Sequence, residues 1–89
     1  MELRGLEYFV AVAEEQSFTR AAQRCFVTQP TISGQIQALE RELGEPLFDR
    51  AQRGAVLTDG GSLLLPYARQ CLRAAEDAKS EFSARAGLL

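Results

Sequence analysis

The stretch Thr28 to Gly44, TQPTISGQIQALERELG, constrains the chain most, because its residues suit a capped helix with two unlike faces. Thr28 can accept a hydrogen bond from the first free N–H groups, and Pro30 falls in the first turn, where a missing N–H costs little. Ile32, Ile36, Leu39 and Leu43 recur at intervals of four, three and four, which makes one apolar stripe that must be buried. The opposite stripe carries Pro30, Gly34, Gln37 and Arg41, with Thr31 and Ser33 on its flanks. Gly44 supplies a left-handed stop, and Pro46 keeps the helix from resuming. A helix with one greasy side and one small, hydrogen-bonding side suits the major groove of DNA. Gln, Ser and Thr can reach base edges and phosphates there, and small neighbours permit close approach.

Composition removes most other functions. Eighty-nine residues make one small domain with a modest core. A hydrophobic share of 46% beside 25% charge argues against disorder. No apolar run approaches the length of a membrane span, and MELRGLEYF lacks the basic-then-apolar order of a signal peptide, so the chain reads as cytoplasmic. There is no His, and Cys25 and Cys71 stand far apart, so neither a metal site nor a Ser–His or Cys–His nucleophile is available. Cys25 reads as a buried small hydrophobe. The expectation is a protein that is not an enzyme and carries no cofactor.

A net charge of −2 and a pI near 5.1 count against nucleic-acid binding. Distribution softens the objection. Gln16 to Leu39 holds Arg20 and Arg24 without an acid, and Arg50 to Thr58 holds Arg50 and Arg53 without an acid, so one surface can be locally positive.

Before the central helix, Glu2 to Glu15 places Leu3, Leu6, Val10 and Ala13 on one stripe with Phe9 beside it, which predicts a first helix. Ser17 should cap a second, Phe18 to about Cys25, with Phe18, Ala22 and Cys25 or Phe26 inward and the small pair Ala21 and Ala22 admitting a close neighbour. Two helices joined by a tight turn, the second with a polar outer face, make a helix-turn-helix. After Pro46, the runs Leu47 to Arg50 and Ala55 to Thr58 flank Ala51 to Gly54 and read as a two-stranded β-wing with Arg53 at its tip. An arginine on a narrow hairpin is shaped for a minor groove or a phosphate.

Thr58 and Asp59 start a last helix, weakened by Gly60 and Gly61, that runs to about Arg85 with Pro66 near its beginning. Leu64, Ala68, Cys71, Ala75, Ala78 and Phe82 alternate at four and three residues, the spacing of a coiled-coil seam. A lone long helix leaves such a stripe wet, so pairing with a second copy is favoured over a hairpin back onto its own domain. The fold expected is mainly α: a winged helix-turn-helix over 1–58 and a linker or dimerisation helix over 59–89. The rival reading is a helical protein-interaction module without DNA binding.

The succession SFTRAAQRCFVTQPTISGQIQALERELGEPLFDR, RGAVLTDGG and long helix closely resembles the N-terminal DNA-binding region of LysR-type transcriptional regulators. The resemblance implies an operator-reading domain of a bacterial regulator. It further implies a homodimer through the last helix on inverted-repeat duplex DNA, with tetramers in full-length members, and an effector-binding domain lying outside this chain. Carried over by position, the DNA-facing residues are Gln29, Pro30, Ser33 and Gly34, with Arg50 and Arg53 on the wing and Thr28 and Thr31 near phosphates. Gln37 and Arg20 complete the expected interface. Many members carry Arg where this chain has Gly34, so a bidentate guanine reader is missing there. Cys25 together with TISGQI is also similar to the peroxide-sensing OxyR branch, whose redox cysteines lie outside this region.

Overall fold

The computed structural model describes residues 1–87, as α1 (Leu3–Glu15), α2 (Phe18–Cys25), α3 (Gln29–Leu43), β1 (Phe48–Asp49), β2 (Val56–Leu57) and α4 (Asp59–Arg85). Leu88 and Leu89, the end of the expected 59–89 segment, lie outside the described residues. None of the described helices is long and apolar enough to cross a membrane.

α1 is the centre of the domain and packs against α2, α3 and α4. Its buried set is Leu6, Tyr8, Phe9, Val10, Ala11 and Val12, broader than the single stripe expected. A helix covered on several sides buries residues around much of its circumference. Leu3, placed on that stripe from spacing, is 48% exposed because it precedes the covered turns. α1 ends where Gln16 turns left-handed and returns its N–H to the Val12 carbonyl at 2.8 Å.

One residue on, Ser17 Oγ accepts the Arg20 N–H at 3.1 Å and starts α2. Ala21 and Ala22 are buried, which lets α2 lie close against its neighbours. Of the two residues offered for the inner side of this helix, Cys25 packs against the core but is only half-buried, and the alternative, Phe26, is almost fully exposed at 94%. Phe26 occupies the left-handed C-cap position, φ 59°, which swings its side chain off the helical face that Ala22 shares with the core. The turn then closes with the Val27 N–H on the Ala22 carbonyl at 3.1 Å.

α3 buries Ile32, Ile36 and Leu39 as their spacing requires, while Leu43 at its end is 39% exposed. Gly44 stops the helix at φ 84°. Beyond it, Leu47 and Phe48 enter the core, and β1 pairs antiparallel with β2 in the register Phe48↔Leu57 and Asp49↔Val56. The wing is thus shorter in regular pairing than the two four-residue runs suggested. Its return arm is tied to the domain, because the Ala55 N–H donates to the Gln16 carbonyl at 3.1 Å.

Thr58 turns the chain into α4 with both ends of its hydroxyl engaged: Oγ1 donates to the Pro46 carbonyl at 2.7 Å and accepts the Gly61 N–H at 3.1 Å. Gly61 is not the weakness its propensity implied. A Cβ there would lie 2.7 Å from Leu57 Cδ2 and closer still to the Leu47 carbonyl oxygen, so glycine is what lets α4 pass close over Leu47 and β2. The long axis of the molecule, 50 Å against 25 and 18 Å, follows from α4, whose 27 residues rise about 40 Å.

Candidate nucleic-acid interface

The outer face of α3 carries the residues expected of it. Thr28, Gln29, Pro30, Thr31, Gly34 and Gln37 are exposed and Ser33 is half-buried, above Ile32 and Ile36 with no exposure at all. The two threonines are partly spent inside the helix. Thr28 Oγ1 accepts the Thr31 N–H at 3.3 Å and lies 2.9 Å from Thr31 Oγ1. That arrangement fixes the first turn and leaves Gln29, Pro30 and Ser33 as the side chains facing outward without an internal partner among the described residues. No heavy atom lies within 4 Å of where a Gly34 Cβ would stand, so the helix surface is open at that point.

The arginines divide into two kinds. Arg53 is exposed near the wing tip and has no ion-pair partner among the described residues. Arg20 shares a cleft of about 410 Å³ with it, walled by Gln16, Gly54 and Ala55. Yet the Arg20 guanidinium donates to the Glu15 carbonyl at 2.6 Å and stands 3.9 Å from the Glu15 carboxylate. Arg24 bridges Glu14 at 2.8 Å and Glu15 at 3.4 Å. Arg50 reaches Glu40 at 3.4 Å and lies over the Phe18 ring, 4.8 Å from its centroid. The acid-free segments are therefore not acid-free in space. Glu14 and Glu15, at the end of α1, and Glu40, on α3, fold back onto the arginines of α2 and the wing.

Glu14 also receives Arg69 of α4 at 3.1 Å. The hydrogen bond from Arg24 leads in holding the Glu14 carboxyl below its ordinary range, with Arg69 adding to it against the effect of burial. The Glu14 hydrogen bond in turn holds the Arg24 guanidinium above its usual value. Cys25 moves the other way: burial pushes its thiol up, which disfavours the reactive thiolate.

The expected seam of α4 is divided by the domain beneath it. Ala68 is 1% exposed and Leu64 packs partly buried against the core, because the first turns of α4 lie on α1. Ala68 is not free to face a second molecule, whereas half-buried Leu64 still lines a surface groove. Farther along, Cys71, Ala78 and Phe82 are exposed and Ala75 is half-buried. The outward apolar residues near the start are instead Leu63 and Tyr67, one position before the expected pair, at 67% and 60% exposure. They line a groove of about 540 Å³ with Met1, Leu43 and Leu47.

Sequence reasoning missed Glu40, Leu63 and Tyr67. Glu40 stood in view as the residue four after Ile36 and three before Leu43, a carboxylate on the inward stripe, where a partner is obligatory. Leu63 and Tyr67 share the four-residue spacing of Leu64 and Ala68, and only the position of α1 decides which pair turns inward.

Residues 3–62 match the family described as bacterial regulatory helix-turn-helix protein, lysR family. The chain is 54% identical over 72 residues, 81% of its length, to the HTH-type transcriptional regulator TfdT of Cupriavidus pinatubonensis. It is 52% identical over 73 residues, 82% of its length, to the DNA-binding transcriptional dual regulator OxyR of Escherichia coli. These alignments span 32% and 24% of those two relatives. Among solved structures it superposes on BenM_DBD in its complex with catB site 1 DNA with a TM-score of 0.92 at 45% identity, covering 97% of each chain. CbnR_DBD in complex with DNA gives 0.89 at 44% identity, covering 97% of this chain and 99% of that one. The helix order, the wing and the sequence match converge: this chain belongs to the LysR family of bacterial regulatory helix-turn-helix proteins.

Proposed function

We propose that this chain is the operator-reading domain of a bacterial LysR-type transcriptional regulator, binding double-stranded DNA in a sequence-specific manner. The observation that carries this reading is the outer face of α3. It presents Gln29, Pro30, Ser33, Gly34 and Gln37 outward on a helix anchored by three fully or nearly fully buried side chains, Ile32, Ile36 and Leu39. Gln29 and Ser33 supply donors and acceptors for base edges in the major groove, and the capped first turn sets their register. Arg53, exposed and without an internal partner among the described residues, is the side chain for the adjacent minor groove, with Arg20 beside it toward the backbone. Thr28 and Thr31 lie where the helix N-terminus meets phosphate. The solved BenM and CbnR complexes, matched over almost the whole of this chain, support the reading.

The working unit is a homodimer. α4 carries exposed Leu63, Tyr67, Cys71, Ala78 and Phe82, more apolar surface than one helix leaves in water without a partner. Two-fold pairing through this helix directs two recognition helices at an inverted-repeat site with half-sites separated by whole turns. The unit acts in the bacterial cytoplasm, on the nucleoid when bound, and residues 1–58 form the reading head carried on α4 (Asp59–Arg85).

The test is selection of bound duplexes from a random pool by the wild-type chain and by Gln29→Ala. The expected result is an inverted repeat with wild type and reduced information at the Gln29-facing base pairs with the variant. A pool that stays random with wild type would refute the proposal.

A further inference from the structure

Arg50 and Arg53 lie three residues apart in a hairpin and look interchangeable in sequence, but their surroundings differ. Glu40 of α3 has only 16% of its side chain exposed and uses both oxygens. Oε2 accepts the Leu47 N–H at 2.8 Å, and Oε1 faces Arg50 Nη2 at 3.4 Å. Above the other side of Arg50 is the Phe18 ring, the first residue of α2. Phe18 stands edge-on to Phe48 with centroids 5.5 Å apart, and Phe48 contacts Phe9 at the same separation. One carboxylate on the recognition helix thus grips the backbone just before β1 and the arginine just after it, and that arginine rests on the helix that precedes the recognition helix. The wing's own ladder is two residue pairs long; its return arm is tied to α1 through the Ala55 N–H on the Gln16 carbonyl, and the Glu40–Arg50 pair is the side-chain tie between its outgoing arm and α3.

We propose that Glu40 and Arg50 form a latch that fixes the wing relative to α3, so that Arg50 is a positioning residue for Arg53 rather than a contact to phosphate. The inference rests on the DNA-binding reading above. Its physical content is preorganisation: the offset between the α3 face and Arg53 is set in the free domain, and ordering the wing is not left to the moment of binding. A half-buried carboxylate that accepts a backbone N–H and faces a guanidinium stacked on an aromatic ring holds a defined geometry, unlike an exposed ion pair. An Arg50 drawn outward to a phosphate would give up the Glu40 pair and the Phe18 ring.

The two roles make opposite predictions. In the full chain, Glu40→Gln keeps an acceptor for the Leu47 N–H but loses the charge opposite Arg50. The latch predicts that Glu40→Gln and Arg50→Lys each weaken duplex binding by about fivefold, and that neither weakens it further when Arg53 is already alanine. A phosphate contact predicts that Glu40→Gln tightens binding by freeing Arg50. It also predicts that Arg50→Lys stays near wild type, and that Arg50→Gln lowers the salt slope by about one whatever stands at 53. Hydrogen exchange in the absence of DNA separates the latch from the DNA reading. Faster exchange at the Leu47 and Val56 amides in both folded variants supports the latch, and unchanged exchange overturns it. Wild-type chain that binds no duplex at low salt, with those amides still loosened by the variants, overturns the role toward Arg53 along with the function it serves.

Discussion

The same substitution, glycine to alanine, should have opposite effects at two helical positions of this domain, and the structure supplies both signs. At Gly34 an added methyl meets nothing within 4 Å, so the change carries only the helix-propensity gain of roughly 0.5–1 kcal/mol. For a domain of this size about 1 kcal/mol moves the thermal midpoint by ~4–8 °C, so Gly34→Ala should raise it by several degrees. At Gly61 the same gain is opposed by a methyl placed 2.7 Å from Leu57 Cδ2 and against the Leu47 carbonyl. That carbonyl cannot swing away freely, because it accepts the Thr58 N–H at 3.0 Å, and Thr58 is itself the cap of α4. Overpacking of this kind costs about 1–3 kcal/mol, more than the propensity gain, so Gly61→Ala should lower the midpoint. Thermal melts followed by circular dichroism, at one protein concentration because association shifts the midpoint, decide the matter. A Gly61→Ala variant as stable as wild type would show that α4 does not cross the wing as closely as described. A destabilised Gly34→Ala would show that the outer face of α3 is covered.

Other consequences are as direct. Thr28→Ala removes the acceptor for the Thr31 N–H and should cost about 1 kcal/mol, read from the same melts, without moving Arg53. Glu14 has its carboxyl held below the ordinary 4.5 in the folded state, chiefly by Arg24, so folding releases protons there. The stabilisation is complete above about pH 4.5 and lost as pH falls through the lowered value; Glu14→Gln should therefore flatten the acid limb of a stability–pH curve measured from about pH 6 to pH 3. Phe82→Glu puts a charge on the open part of α4 and should shift the chain toward monomer in light scattering at tens of micromolar. An unchanged mass with Phe82→Glu would take the distal helix out of the dimer contact.

The elements that read clearly in the sequence are those whose signals are local. Ser17, Thr28 and Thr58 each cap a helix, and each does so by accepting an N–H three residues ahead. Ile32, Ile36 and Leu39 announce the buried side of α3, and Gly54 at φ 78° sits in the wing turn where its position suggested. What escaped depends on where a second element lies. Arg20, Arg24 and Arg50 look free in acid-poor segments, yet Glu15, Glu14 and Glu40 reach them across turns and between helices. The α4 spacing is compatible with two neighbouring stripes, and contact with α1 selects Leu64 and Ala68 for the interior, leaving Leu63 and Tyr67 outside. Gly61 reads as a helix weakness in one dimension and as a crossing point in three.

These ion pairs sharpen how the domain can hold DNA at a net charge of −2. With Arg24 and Arg50 each facing a carboxylate, and Arg20 standing 3.9 Å from that of Glu15, the local positive charge is smaller than the acid-poor segments suggest. In the proposed function, affinity then rests on Arg53, on the α3 N-terminus with Gln29 and Ser33, and on pairing of two copies. Such a division favours discrimination over indiscriminate grip.

Sequence-specific duplex recognition by the α3 face can be measured directly. Fluorescence anisotropy of the chain with a duplex selected from the random pool, and with a scrambled duplex, over a series of salt concentrations tests it most directly. The expected result is tighter binding to the selected duplex, a linear fall of log affinity with log salt, and loss of the preference in Gln29→Ala while residual binding remains. Equal affinity for the two duplexes, or a preference that survives Gln29→Ala together with Ser33→Ala, would contradict it.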